Sequence, residues 1–337
     1  MRALVIDRPG QARVIEIDPP AADLGDATMR IRRIGLCGTD LSTYLGKNPL
    51  VTYPRIPGHE IAATLEAIPE NEFGLQAGMN VTMSPYTNCG SCTACRQRRF
   101  NACRFNQTLG VQRDGAMRER FSMPTGKLYA ADLPIEELCL VESLTVGCHA
   151  VARGCVTEQD KVVVFGCGGV GLGAVSAAAF RGAQVIAIDI DDQKLEIARS
   201  AGARYLLNST REDIHSQLQD LTDGHGPDVV IEAIGRPETF RASVEEVAFA
   251  GRVVYIGYAK EHVSYETRLF VQKELDVRGS RNALPEDFQE VIRMFQAKRF
   301  PTATAISATV PLDEAPEILK AWSENPAAFT KIMISFD

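Results

Sequence analysis

Four cysteines fall within fifteen residues: Cys89, Cys92, Cys95 and Cys103, spaced C-x2-C-x2-C-x7-C. Four thiolates at this spacing suit a tetrahedral zinc with no open position, which makes the site structural rather than catalytic. As four buried small side chains they would be out of place, because the intervening Ser91, Thr93, Arg96, Gln97, Arg98 and Arg99 are polar. An iron–sulfur cluster is the competing metal reading, since it too draws on closely spaced cysteines. The opening MRALVIDRPG shows no basic segment followed by an apolar one, so the expected location is cytoplasmic, where disulfides do not persist.

A second stretch with chemical potential is VVVFGCGGVGLG, in which Gly166, Gly168 and Gly171 form G-x-G-x-x-G directly after a strand-like run and ahead of a helix-like one. The glycines give a tight turn, close approach of backbone to a pyrophosphate, and close helix–strand packing. The helix N-terminus adds free N–H groups and a positive dipole end. Asp189 ends QVIAID, eighteen residues after Gly171. A carboxylate there accepts from the adenosine ribose hydroxyls and repels a 2′-phosphate, which favours NAD over NADP. The plain alternative is a glycine-rich turn that binds nothing; the agreement of strand, helix and acid speaks against it.

These residues need elements to hold them. At 337 residues the chain exceeds one comfortable core, and two domains are expected. Through about residue 86, RALVI, ARVIEI, TMRIRRIG, EIAATLEAI and MNVTMSPY read as β. After about residue 150, KVVVFG, QVIAIDI, RYLLN, DVVIEAIG, RVVYIGY and LDVRGS alternate with helix-like runs, the pattern of a doubly wound parallel sheet. Residues 162–180 are uncharged, but their five glycines fit a strand–turn–helix better than a bilayer helix. Net charge −7 and pI near 5.4 argue against general binding to nucleic acid or to an anionic membrane. Arg96, Arg98, Arg99 and Arg104 therefore read as a solvated or subunit-facing lobe.

GLCGTD at 35–40, PGHE at 57–60, VES at 141–143 and GCGGVG at 166–171 stand in the order and spacing of a known family. With the cysteine lobe, the whole chain resembles the zinc-dependent medium-chain alcohol dehydrogenases. The resemblance implies an α/β fold: a GroES-like β-rich catalytic domain, 1–150 completed by 286–337, and an NAD-binding Rossmann domain at 151–285. It implies a catalytic zinc on Cys37 and His59, with Glu60 and Glu142 as candidate carboxylate ligands, and a second, structural zinc on the four cysteines. It also implies that Gly169, Val170, Ile256 and Gly257 line the cofactor, and that subunits assemble into dimers or tetramers. Thr39 matches the hydroxyl that relays the alcohol proton, whereas the histidine many members carry three residues later is Ser42 here. Glu-Ser replaces the commoner Glu-Pro at 142–143. His149, His215, His225 and His262 match no ligand motif and read as structural or surface residues.

The segment RGSRNALPEDF resembles the subgroup that oxidises L-galactonate or L-gulonate at C5. Arg281 offers a planar fork for a substrate carboxylate and Asn282 a partner for a neighbouring hydroxyl. The other reading has Arg281 paired with Glu286 or with cofactor. Competing functions are an alditol (sorbitol) or L-threonine dehydrogenase, or a catalytically silent nucleotide-binding relative. Silent relatives lose zinc ligands, and all four candidates are retained. A zinc-ribbon module for nucleic acid fits an acidic chain poorly.

Overall fold

Runs of branched and apolar residues set the strands. β1 (Arg2–Arg8), β2 (Gln11–Glu16), β3 (Asp26–Leu36), β4 (Glu60–Ala67), β5 (Asn80–Met83), β6 (Arg120–Pro124) and β7 (Leu128–Ala130) precede a helix at Ile135–Arg153. Then β8 (Lys161–Phe165), β9 (Gln184–Asp189), β10 (Tyr205–Asn208), β11 (Val229–Glu232), β12 (Arg252–Tyr255) and β13 (Asp276–Gly279) alternate with helices. β14 (Ala308–Pro311) and β15 (Ile332–Ser335) come last. This is a computed structural model, and it describes residues 1–20 and 25–337.

Two units divide the chain, Met1–Glu142 with Thr302–Asp337, and Ser143–Pro301. In the first, β14-β15-β3-β4-β5-β7 form a sheet with β6 also on β3, and a separate hairpin joins β1 and β2. The C-terminal tail enters this sheet because β15 pairs antiparallel with β3, Ile334 opposite Ile34. Side chains of β3 and β4 share one core, among them Ile61 and Leu65 of β4 and, on either side of a register shift in β3, Ile31 and Ile34.

The second unit is a parallel sheet in the order β10-β9-β8-β11-β12-β13. Its central strands read VVV and VVI because helices cover both faces and leave no polar side. The uncharged stretch becomes β8, a turn and the helix Gly169–Phe180. Its glycines serve helix–helix approach. A Cβ on Gly173 would lie 2.5 Å from the Leu144 carbonyl oxygen, and one on Gly147 would lie 2.2 Å from Ala174 N. No helix among the described residues is long and apolar enough to cross a membrane.

The unit boundaries differ from the sequence expectation. One lies inside the unbroken helix Ile135–Arg153, and the tail rejoins the first unit at 302, not 286. The helix Pro285–Gln296 buries Phe288, Val291, Ile292, Met294 and Phe295, and this amphipathic face belongs to the second unit. Of the strand-like TAISATV, only its end is extended; Thr302–Ala305 is a helical turn.

Candidate metal and cofactor sites

β3 and β4 run antiparallel with Gly35 opposite Glu60. Position 35 has no room for a side chain: a Cβ there would stand 2.1 Å from Glu60 Oε2. Just past β3, Cys37 caps the helix Gly38–Tyr44 by accepting from Thr39 N at 3.2 Å. Its Sγ lies 3.0 Å from His59 Nε2. Glu142 projects from the helix Ile135–Arg153 and accepts from the Tyr86 hydroxyl. The donor atoms of His59, Glu60 and Glu142 lie within 4.8 Å of one another, as do those of Cys37, Asp40 and His59. The fold thus gathers residues spread over more than a hundred positions of sequence.

Sequence reasoning missed three members of this cluster. Lys331 Nζ lies 2.7 and 2.6 Å from the two Glu60 oxygens and 3.4 Å from the Leu36 carbonyl. Asp40 accepts from Cys37 N at 3.0 Å and Gly58 N at 3.3 Å, and lies 3.8 Å from His59 Nδ1. Tyr86 is the third. The available signals were slight: a lysine heading the apolar run IMIS, and the last residue of GLCGTD.

Burial raises Glu142 to about 7 while His59 opposes the shift. Burial likewise lifts Asp40 and, with Glu142 beside it, Tyr86. At His59, burial works against the charged form, but Cys37 and Asp40 outweigh it and lift the imidazole well above its ordinary value. Acidic groups outnumber cationic partners in a buried space, which a divalent cation would balance. Thiolate, imidazole and carboxylate are the donors of catalytic zinc sites that keep one position open, so the residues fit that ion. Beyond Thr39, the Ser42 hydroxyl donates to the Thr39 carbonyl at 2.9 Å and is engaged by the backbone.

In the lobe, Cys92 Sγ lies 3.6 Å from Cys95 Sγ and 3.9 Å from Cys103 Sγ, and Cys89 lies 4.0 Å from Cys95. A tetrahedron with metal–sulfur bonds of about 2.3 Å has edges of about 3.8 Å. The four sulfurs therefore fit one zinc ion, whereas a multi-iron cluster spreads its thiolates further. Backbone N–H groups favour the thiolates: those of Ser91 and Cys92 bring Cys89 down to about 6.

In the second unit, Gly166 takes φ +95° as the chain leaves β8. A Cβ on Gly171 would sit 1.8 Å from the Gly166 carbonyl, whereas one on Gly168 would meet nothing within 4 Å. The turn is tight on its inner side and open where a phosphate would approach. Gly168 caps the helix without a side chain, leaving the N–H groups of Gly169, Val170 and Gly171 in its first turn. Asp189 ends β9 and accepts from Cys167 N at 2.7 Å, Ile190 N at 2.8 Å and Asp191 N at 3.1 Å. Ile256 N and Gly257 N donate to the Glu232 carbonyl at 2.9 and 3.2 Å. Arg281 is exposed in the loop after β13, and Asn282 beside it takes φ +52°. His149 is buried against Asp287 at 2.9 Å, and His215 pairs with Glu246, so neither joins the metal clusters.

Residues 23–134 match the alcohol dehydrogenase GroES-like domain and residues 169–297 the zinc-binding dehydrogenase family. An uncharacterized zinc-type alcohol dehydrogenase-like protein of Haemophilus influenzae is 33% identical over 100% of this chain and 99% of its own. The L-galactonate-5-dehydrogenase of Escherichia coli K12 is 32% identical over 87% of each chain. Among solved structures, RspB of Escherichia coli CFT073, described as a short chain alcohol dehydrogenase and complexed with NADH, superposes with a TM-score of 0.91. It shares 25% identity and covers 100% of this chain and 99% of its own. With the metal-donor sets and the parallel dinucleotide sheet, these likenesses establish that the chain belongs to the zinc-dependent medium-chain alcohol dehydrogenases and is an oxidoreductase.

Proposed function

We propose that the protein oxidises a secondary alcohol of a sugar acid, L-galactonate or L-gulonate at C5, to the corresponding ketone. The alcohol carbon gives a hydride to NAD and its hydroxyl gives a proton to solvent, yielding NADH. The observation that carries the substrate class is Arg281, an exposed guanidinium in the loop that leaves the C-terminal end of β13. Ligands of open parallel sheets bind beyond such strand ends, and a guanidinium there suits a carboxylate. The L-galactonate-5-dehydrogenase relative supports the same class.

Cys37, His59 and Glu142 are the ligands assigned to the catalytic zinc. Glu60 stands back because both its oxygens accept from Lys331. Zinc in that place supplies a Lewis acid that lowers the pKa of an alcohol hydroxyl. Thr39, in the first turn after Cys37, takes the proton onward, and with Ser42 held by the backbone its next acceptor is a ribose hydroxyl or water. The glycine turn and the helix at Gly169 receive the pyrophosphate. Asp189, followed by Asp191 and Asp192, selects a free ribose over a 2′-phosphate. Arg281 holds the substrate carboxylate and Asn282 reads the adjacent hydroxyl.

The assembly we assign is a homo-oligomer. β13 is the outer strand of its sheet, and Val277 is 43% exposed on it. Antiparallel pairing of two such edges about a two-fold axis through Val277 sets Asp276 of one copy opposite Arg278 of the second, a self-complementary charge register.

Arg281→Ala tests the substrate class. A hydrogen bond to a charged group contributes roughly 1.5–3 kcal/mol, so kcat/KM on L-gulonate or L-galactonate should fall on the order of 10- to 150-fold. Activity on an uncharged alditol should change little. An equal loss on both substrates, or none on either, would remove Arg281 from the substrate site.

A further inference from the structure

The end of the helix Ile135–Arg153, from Ser143 onward, lies in the second unit and holds the segment after β13 at both of its ends. At the near end, Arg153 Nε donates to the Gly279 carbonyl at 3.2 Å, and Arg278 Nη1 donates to the Arg153 carbonyl at 2.7 Å. At the far end, His149 Nδ1 lies 2.9 Å from Asp287 Oδ2, with both side chains buried. The same Asp287 oxygen accepts from Leu284 N at 2.7 Å, and Asp287 N donates back to the Leu284 carbonyl at 3.1 Å. His149 and Arg153 stand one helical turn apart and so share one face.

Between these two anchors run residues 280–284. Ser280 and Ala283 are buried, Asn282 takes φ +52°, and Arg281 is exposed. So short an arch, pinned at each end, has little freedom in where it sets Arg281 and Asn282. The helix Pro285–Gln296 does not need the His149 bond for its own anchorage. Arg181 donates to both Glu290 oxygens at 2.8 and 2.7 Å, and Phe288, Val291 and Phe295 are buried. For stability alone, a buried histidine–carboxylate pair is often no better than a packed apolar pair. What the pair adds is direction: it fixes the Asp287 carboxylate that holds Leu284.

We infer that His149 is a positioning residue for the substrate: through Asp287 it sets the 280–284 segment, and with it Arg281 and Asn282. The inference rests on the reading of Arg281 as the carboxylate contact given above. It assigns His149 no contact with the reacting atoms, and the effect of His149 on turnover passes through the loop.

Hydrogen exchange and steady-state kinetics on the zinc-loaded full chain test this together. In His149→Leu the Leu284 amide should exchange on the order of tenfold faster, read by mass spectrometry on a peptide spanning 280–288, because the acceptor of its bond is set loose. The variant's kcat/KM on L-gulonate or L-galactonate should fall on the order of tenfold, the lower end for a lost hydrogen bond to a charged group. Adding the same change to Arg281→Ala should cost about threefold or less, because the main group being positioned is gone. His149→Asn, whose amide NH2 stands near the place of the Nδ1 hydrogen, should recover most of the loss. Arg153→Met, which frees the near end, should show the same dependence on Arg281, and it decides the matter if His149→Leu fails to fold. Unchanged exchange at Leu284 in His149→Leu, or a loss in either variant that persists in full without Arg281, would overturn the positioning role. An Arg281→Ala chain that keeps its efficiency on the sugar acid would instead contradict the substrate reading, and the inference would fall with it.

Discussion

Lys331 and Glu60 stand 271 residues apart in the chain, yet the Lys331 ammonium meets both Glu60 oxygens in a space closed to water. Burial opposes the lysine's charge, and Glu60 more than offsets it, raising the lysine pKa. Removing one partner of such a pair leaves the other charged and uncompensated. Lys331→Ala should therefore lower unfolding free energy by about 3–5 kcal/mol, measured by denaturant titration, and adding Glu60→Gln should restore part of it. A loss below about 1 kcal/mol would mean the pair is not closed to water in solution. Residues at this scale were legible in unequal degree. The four cysteines and the glycine turn announce themselves because their partners are neighbours in sequence. Cys37 and His59 needed the family resemblance, because only the β3–β4 pairing brings them to 3.0 Å. Lys331 offered only the slight signal of a lysine heading an apolar run.

Elements show why the lobe of Cys89–Cys103 is a separate object. Its regular structure is a four-residue helix, Thr93–Arg96, and a single turn, Phe100–Ala102, too little to bury a core. Sulfur donors therefore supply the tertiary contacts, and metal binding is folding free energy there. Cys95→Ser should lower zinc from about two to about one per chain by elemental analysis and raise protease cleavage between 86 and 105. Retention of both zincs would contradict the four-sulfur assignment. Strands with strict alternation or continuous valine were readable from sequence, since period and composition fix them. The helix Ile135–Arg153 was not, because it is apolar on most sides, and Gly147 inside it looks like a break until the close approach of the helix Gly169–Phe180 explains it. The helix Pro285–Gln296 was legible as a helix but not by owner, since an amphipathic face does not name what it packs on.

For the whole molecule, the parallel order β10-β9-β8-β11-β12-β13 ends on an edge that invites a second copy. Val277→Lys would bring like charges together on the proposed two-fold axis, and sedimentation should then show a shift toward the monomer. An unchanged mass would place the interface elsewhere. The central claim joins metal, cofactor and substrate, and NADH formation followed at 340 nm tests all three together. The zinc-loaded protein should reduce NAD with L-galactonate or L-gulonate faster than with sorbitol or L-threonine, and Cys37→Ala should abolish the signal. Turnover of sorbitol or threonine with no sugar acid oxidised would contradict the substrate assignment. Full activity in Cys37→Ala would contradict the catalytic metal itself.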